Sequence, residues 1–163
     1  MLVIVYMQNR ILDTDDENYV LGADKIIPKI LQRFTKARKS GEMVLFTRDI
    51  HIEHKNESEE RIELQIVDEL APLPEEYVFK KNYYALPPEK LLDVRALTEK
   101  RKQEKSRIEV VGVELSICVL ANTLALQSAL PEGDFYIDSE LVAGNKLNET
   151  ALQLLEQFNV EIE

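Results

Sequence analysis

The sequence contains no tryptophan, only five glycines, two histidines and a single cysteine among 163 residues. One cysteine excludes an internal disulfide, and no apolar run approaches the roughly 20 residues that a membrane-spanning helix requires. No glycine-rich phosphate loop follows the first apolar run, which sets aside a flavodoxin-like or nucleotide-binding domain built on that motif. Positive charge is also in short supply: 20 Lys and Arg face 30 Asp and Glu, for a net charge of −10. Such a surface repels phosphate backbones and anionic lipid, so neither nucleic acid nor membrane is an expected partner, and solubility is the plain consequence. The opening MLVIVYMQNR lacks the basic leader and small-residue cleavage site of a signal peptide and reads as a strand, so a cytoplasmic location is expected. In a reducing compartment an isolated cysteine is either buried and inert or reactive by design.

What is present is a hydrophobic content of 45%, enough to bury a sizeable core, and residues 1–163 are expected to form one domain. Residues 2–6, LVIVY, form a β-rich run without alternation, as suits a strand buried on both faces of a parallel sheet. Similar runs recur at 43–46, 77–80, 108–113 and 134–139. Helical patterns lie between them. Residues 22–39 place Ile26, Ile27, Ile30, Leu31 and Phe34 on one stripe, with Pro28 in the first turns. Residues 87–106 read as a surface helix with Leu91, Leu92 and Leu97 turned inward, and 115–130 is apolar nearly all round, which predicts a buried helix stopped by Pro131 and Gly133. A last helix begins with Asn148 as its cap and leads into a terminal strand, VEIE. This alternation predicts an α/β fold: a Rossmann-like three-layer αβα arrangement with a mostly parallel central sheet. Open parallel sheets bind ligands beyond the carboxyl ends of their strands, so Tyr6, Asp49, Lys80 and the stretch from Gly112 to Cys118 can converge at one edge.

Cys118 follows the 108–113 strand and falls in the first turn of the next helix, where free N–H groups and the dipole favour thiolate over thiol and could hold an oxyanion. The alternative is a small packing residue. The surrounding VVGVELSICVLANTLAL resembles the nucleophile segment of the isochorismatase-like cysteine hydrolases, which include nicotinamidases, isochorismatases and N-carbamoylsarcosine amidohydrolases; Gly112, Val113, Glu114, Cys118, Val119 and Ala121 stand in register, with Leu115 in place of the commoner threonine. Three further segments match in order. LVIVYMQN resembles the family's opening strand, VLFTRDIH its second strand, and VFKKNYYAL its lysine segment, read with the lysine on Lys80 and Tyr83, Tyr84, Ala85 and Leu86 after it. The resemblance spans residue 2 to about 139.

It implies Cys118 as nucleophile, Lys80 as cationic partner, and an oxyanion hole from the backbone N–H groups of Glu114 and Cys118, with a cis peptide bond between Val113 and Glu114. Tyr6 occupies the place of the family aspartate that takes and returns the thiol proton, and Arg10 stands where the family commonly has an acid. A phenol with a pKa near 10 is a poor proton acceptor at neutral pH. Either Lys80 depresses the pKa of Tyr6 or Cys118, or Asp49 serves from the neighbouring strand, or Tyr6 fills a site no longer used. Asp49, Tyr83 and Tyr84 are expected to line the pocket, although core packing serves one of the tyrosines equally well. Nicotinamidases of this superfamily hold a metal with an Asp-x-His pair and a later histidine; here Asp49 and His51 are followed only by His54 in a charged loop, so no metal and no other cofactor is expected. The mixed cluster at 99–107 reads as a solvated helix face. The implied activity is hydrolysis of a small amide or related substrate, with a homo-oligomer expected by resemblance. The rival is a family member that binds a small molecule or a protein without catalysis.

Overall fold

The computed structural model describes residues 1–52, 59–101 and 107–163. Six strands form one sheet: β1 (Leu2–Val5), β2 (Val44–Asp49), β3 (Tyr77–Lys81), β4 (Arg107–Gly112), β5 (Asp134–Ile137) and β6 (Glu161–Ile162). Their spatial order is β3-β2-β1-β4-β5-β6, and every pairing between them is parallel. Among the described residues four α-helices lie between successive strands, with none between β2 and β3: α1 (Ala23–Ser40), α2 (Pro88–Lys100), α3 (Leu120–Ala129) and α4 (Asn148–Gln157). The result is a three-layer α/β fold, with the sheet parallel throughout rather than mostly so.

The unbroken apolar character of LVIV follows from its place: β1 is central, all four residues are buried, and neighbours bond it on both sides. β3 lies at the edge and alternates instead, with Val78 and Lys80 exposed while Tyr77, Phe79 and Lys81 turn toward the protein. α1 buries Ala23, Ile26, Ile27, Ile30, Phe34 and Ala37, runs through Pro28, and closes on Gly41 in the left-handed conformation. Strand order reverses between β1 and β4, so the chain leaves these two strands in opposite directions and opens a crevice at their carboxyl ends.

Two expectations need correction. Leu92 is exposed; the inward stripe of α2 is Val94 and Thr98, flanked by the half-buried Leu91 and Leu97, because residue 92 sits about 100° around the helix from 91. Asn148 is the first helical residue rather than the cap, and its amide donates to the carbonyl of Gly144. The 115–130 run is helical, but its first turn, Leu115–Val119, is a π-turn, and Ile117 faces outward from it.

Gly112 ends β4 where it meets β1. Its φ is +116°, and a Cβ there would lie 2.2 Å from the carbonyl oxygen of Val5. Only glycine permits this approach, which sets the strand directly against β1 before the chain turns into the Cys118 segment.

Candidate active site

Because β1, β2, β3 and β4 are parallel, their last residues share one edge. Tyr6 directly follows β1, Asp49 ends β2, Lys81 ends β3, and Cys118 lies six residues beyond Gly112 at the end of β4. Asp49, Lys81, Tyr6 and Cys118 are all buried. The ammonium of Lys81 uses its three donors on three partners: Asp49 Oδ2 at 2.7 Å, the Tyr83 carbonyl at 2.9 Å and Cys118 Sγ at 3.6 Å. It thus ties two strand ends, the 82–86 loop and the sulfur into one cluster.

Lys80 is elsewhere. Its side chain is exposed and pairs with Glu59, so the cation of the cluster is Lys81 and not Lys80. Successive residues of a strand point to opposite faces, so a shift of one position exchanges a buried cation for a solvated one. Two signals in the sequence pointed to Lys81. The alternation Tyr77, Phe79, Lys81 puts it on the inner face, and the family spacing, with lysine two positions before Tyr83, also counts back to it.

Tyr6 has φ +55°, unusual for a non-glycine residue, and its backbone N–H is held by the carbonyl and hydroxyl oxygens of Thr47. Lys81 Nζ lies 5.2 Å from the centre of its ring. The phenol oxygen is buried without a hydrogen-bond partner among the described residues. Burial raises its pKa far above the ordinary phenol value; Arg10 opposes this, and Asp49, Cys118 and Asp16 add to it. Tyr6 is therefore a neutral donor at this site.

The thiol of Cys118 is also pushed up. Burial is the largest cause and Asp49 adds to it, outweighing Lys81 and the hydrogen bond from the Glu114 N–H to the sulfur. A helix terminus and a nearby lysine both favour a thiolate, while a small packing residue is the alternative read from the sequence. Desolvation outweighs both of the first two, because taking a thiolate out of water costs more than the surrounding donors return. The labelling rate of Cys118 with iodoacetamide should accordingly stay low at pH 7 and climb only above the range of a free cysteine, near 8.5. A midpoint at or below that range, in a pH series on the native protein, would contradict the burial.

The bond between Val113 and Glu114 is cis, and the Glu114 N–H favours negative charge on the sulfur. Asp49 keeps its main chain in place through Gln8, which is wholly buried: its amide donates to the carbonyls of Asp49 and Leu64 and accepts from Asp49 N–H. Asp49 Oδ1 has no hydrogen-bond partner among the described residues. A cavity of about 90 Å³ opens beside the cluster, lined by Asp49, His51, Ile52, Asn82, Tyr83 and Tyr84. Tyr83 and Tyr84 stand at its rim, both more than half exposed, with their rings edge to face.

Asn122, one helical turn after Cys118, escaped the sequence reading. Its buried amide donates to the carbonyls of Tyr84 and Cys118 and accepts from Leu86 N–H, fastening the rim loop to the cysteine's own helix. Asn122→Ala removes all three bonds and strands a buried N–H. It should cost about 2–4 kcal/mol, read as a lower urea midpoint at unchanged slope.

A metal fits poorly among the described residues. His51 Nε2 lies 3.6 Å from Asp49 Oδ2, but that oxygen already accepts from Lys81, and no group of three or more His, Cys, Asp or Glu is suitably placed. His54 and part of the 99–107 cluster lie outside the described residues. Among those residues no helix is long and apolar enough to cross a membrane.

Solved structures share this architecture. A pyrazinamidase of Pyrococcus horikoshii in complex with zinc superposes with a TM-score of 0.79 at 21% identity, over 99% of this chain and 97% of the other. An isochorismatase family protein from Desulfovibrio vulgaris gives 0.82 at 18%, over 99% and 91%. N-carbamoylsarcosine amidase from Thermoplasma acidophilum gives 0.80 at 17%, over 99% and 94%. Among curated protein sequences none matches the chain. The model of the isochorismatase domain, however, matches residues 1–157, and the chain therefore belongs to the isochorismatase-like hydrolase family.

Proposed function

We propose that residues 1–163 form one cytoplasmic hydrolase domain that cleaves a small amide or related C–N substrate, with Cys118 as nucleophile and Lys81 as its cation. The observation that carries this reading is the Lys81 ammonium set between Asp49 Oδ2 at 2.7 Å and Cys118 Sγ at 3.6 Å, beside a cavity at the carboxyl edge of a parallel sheet. The sulfur attacks the carbonyl carbon as its proton passes by way of Lys81 to Asp49. Tyr6, already protonated and buried, does not receive it. The N–H groups of Glu114 and Cys118 face the oxygen that becomes negative. The proton then leaves with the amine, and water hydrolyses the thioester to return the thiol. A resting thiol suits this sequence, since the proton leaves sulfur only as the bond to carbon forms, and no buried thiolate has to be held in the free protein.

A cavity near 90 Å³ is below the usual 300–1,000 Å³ of ligand pockets, so the substrate is small or the pocket is completed by another subunit packed on the exposed Tyr83 and Tyr84. The test is hydrolysis of nicotinamide, pyrazinamide and N-carbamoylsarcosine, followed as released ammonia. Asp49→Asn is expected to lower the rate on the best of them by about 10²- to 10⁴-fold, the range for a lost proton acceptor. An unchanged rate would remove Asp49 from the reaction.

A second reading, a binding protein without catalysis, is favoured by the unpaired, neutral phenol of Tyr6 where the family has a carboxylate. Tyr6→Asp separates the two. Hydrolysis gained in that variant and absent from the parent would mark a decayed enzyme, whereas a folded variant inert on all three substrates supports binding.

A further inference from the structure

The turn that follows β1, Asn9–Leu12, buries an arginine whose charge is poorly met. Arg10 is 6% exposed, and its Nε and Nη1 are buried without hydrogen-bond partners among the described residues. Among the described residues its ion pair runs from Nη2 to Asp16 Oδ1 at 3.3 Å. That same oxygen accepts from the backbone N–H of Asn18 at 2.7 Å and from its amide at 2.8 Å, so the guanidinium has the longest share of an oxygen split three ways. Beside it lies a cavity of about 60 Å³ lined by Arg10, Asp16, Arg61, Glu63 and Leu64. Arg61 and Glu63 form an ion pair with each other. A buried cation with free donors beside a void is costly unless an acceptor comes to it.

We propose that this cavity is an anion subsite, in which the guanidinium of Arg10 meets the carboxylate of a small ligand or a comparable small oxyanion, with Nε and Nη1 turning to it as it enters. The volume accommodates one carboxylate group, roughly two water molecules' worth of space at about 30 Å³ each. Arg10 and Cys118 both act electrostatically on Tyr6, so the subsite and the sulfur have this phenol as a common neighbour. The site stands on its own geometry whether or not Cys118 is catalytic.

Acetate is the probe, titrated against wild type with sodium chloride holding the ionic strength and neutral acetamide as the control. A saturable rise in melting temperature of about 3 °C is expected with acetate and none with acetamide. Arg10→Met should melt at or above wild type without acetate, since it removes an under-compensated buried charge, and should not respond to the probe. Arg10→Lys, which keeps the charge but loses the spread of donors, should need at least about tenfold more acetate. No saturable response in wild type, an equal response in Arg10→Met, or an Arg10→Met protein that melts far lower or fails to fold would each overturn the proposal; the last would give the guanidinium a structural role. The single cysteine supplies the arm that identifies the source. If acetate slows iodoacetamide labelling of Cys118 in wild type but not in Arg10→Met, the carboxylate belongs to the ligand that occupies the Cys118 site. Stabilisation without slowing assigns a free anion.

Discussion

Lys81→Met should abolish the chemistry of Cys118 and destabilise the protein, while Lys80→Met should do neither. Removing the Lys81 ammonium leaves Asp49 buried at 2% exposure with its ionic partner gone, which for a broken buried pair costs about 3–5 kcal/mol. It also removes the cation that opposes burial at the thiol, so iodoacetamide labelling at pH 8 should fall further, and hydrolysis by about 10³-fold or more. Lys80 pairs with Glu59 in solvent, where such pairs contribute about 0–1 kcal/mol, so its loss should alter labelling and hydrolysis by less than about twofold. The paired measurement decides between two adjacent lysines. Equal effects at both positions would mean that the alternation of β3 does not hold at its carboxyl end.

Gly112→Ala should be the most damaging small substitution in the sheet. The methyl carbon would be set 2.2 Å from a main-chain oxygen of the neighbouring central strand, at φ +116°, and neither the oxygen nor the strand can yield without breaking the β1–β4 ladder. The loss should exceed about 4 kcal/mol, seen as a collapse of the urea midpoint or as insoluble protein. Gly22 and Gly41 provide the internal comparison. Both have positive φ, at +84° and +68°, but a Cβ there meets nothing within 4 Å, so alanine should cost only about 1–2 kcal/mol. If Gly112→Ala costs no more than these two, conformation alone and not the contact with Val5 accounts for the glycine.

The layout of the fold was legible because it depends on local pattern. A run such as LVIV lacks alternation when both faces are covered, and the 3.6-residue stripe of α1 marks one buried side. Legibility failed where a helix or strand is only partly covered. Leu92 and Leu91 are equally apolar, yet one faces solvent; no property of the residue distinguishes them, only the angle at which α2 meets its neighbours. Asn122 gave little warning because a polar residue in an apolar helix reads as an interruption until its three partners, from positions 84, 86 and 118, are brought around it.

At the site the division is similar. The amino-acid sequence alone determined that a cysteine follows a glycine-ended strand, that a tyrosine stands directly after β1, where the family resemblance implies an acid, and that acidic and basic groups end the neighbouring strands, since these are matters of residue type and order. Tertiary structure decided which lysine reaches the sulfur, that the thiol and phenol are both held protonated, and that Arg10 is buried short of acceptors. The physical reason is that ionisation and pairing depend on distance from water and from opposite charge. Those distances are set by strands that are far apart in the chain and adjacent only once the sheet has formed.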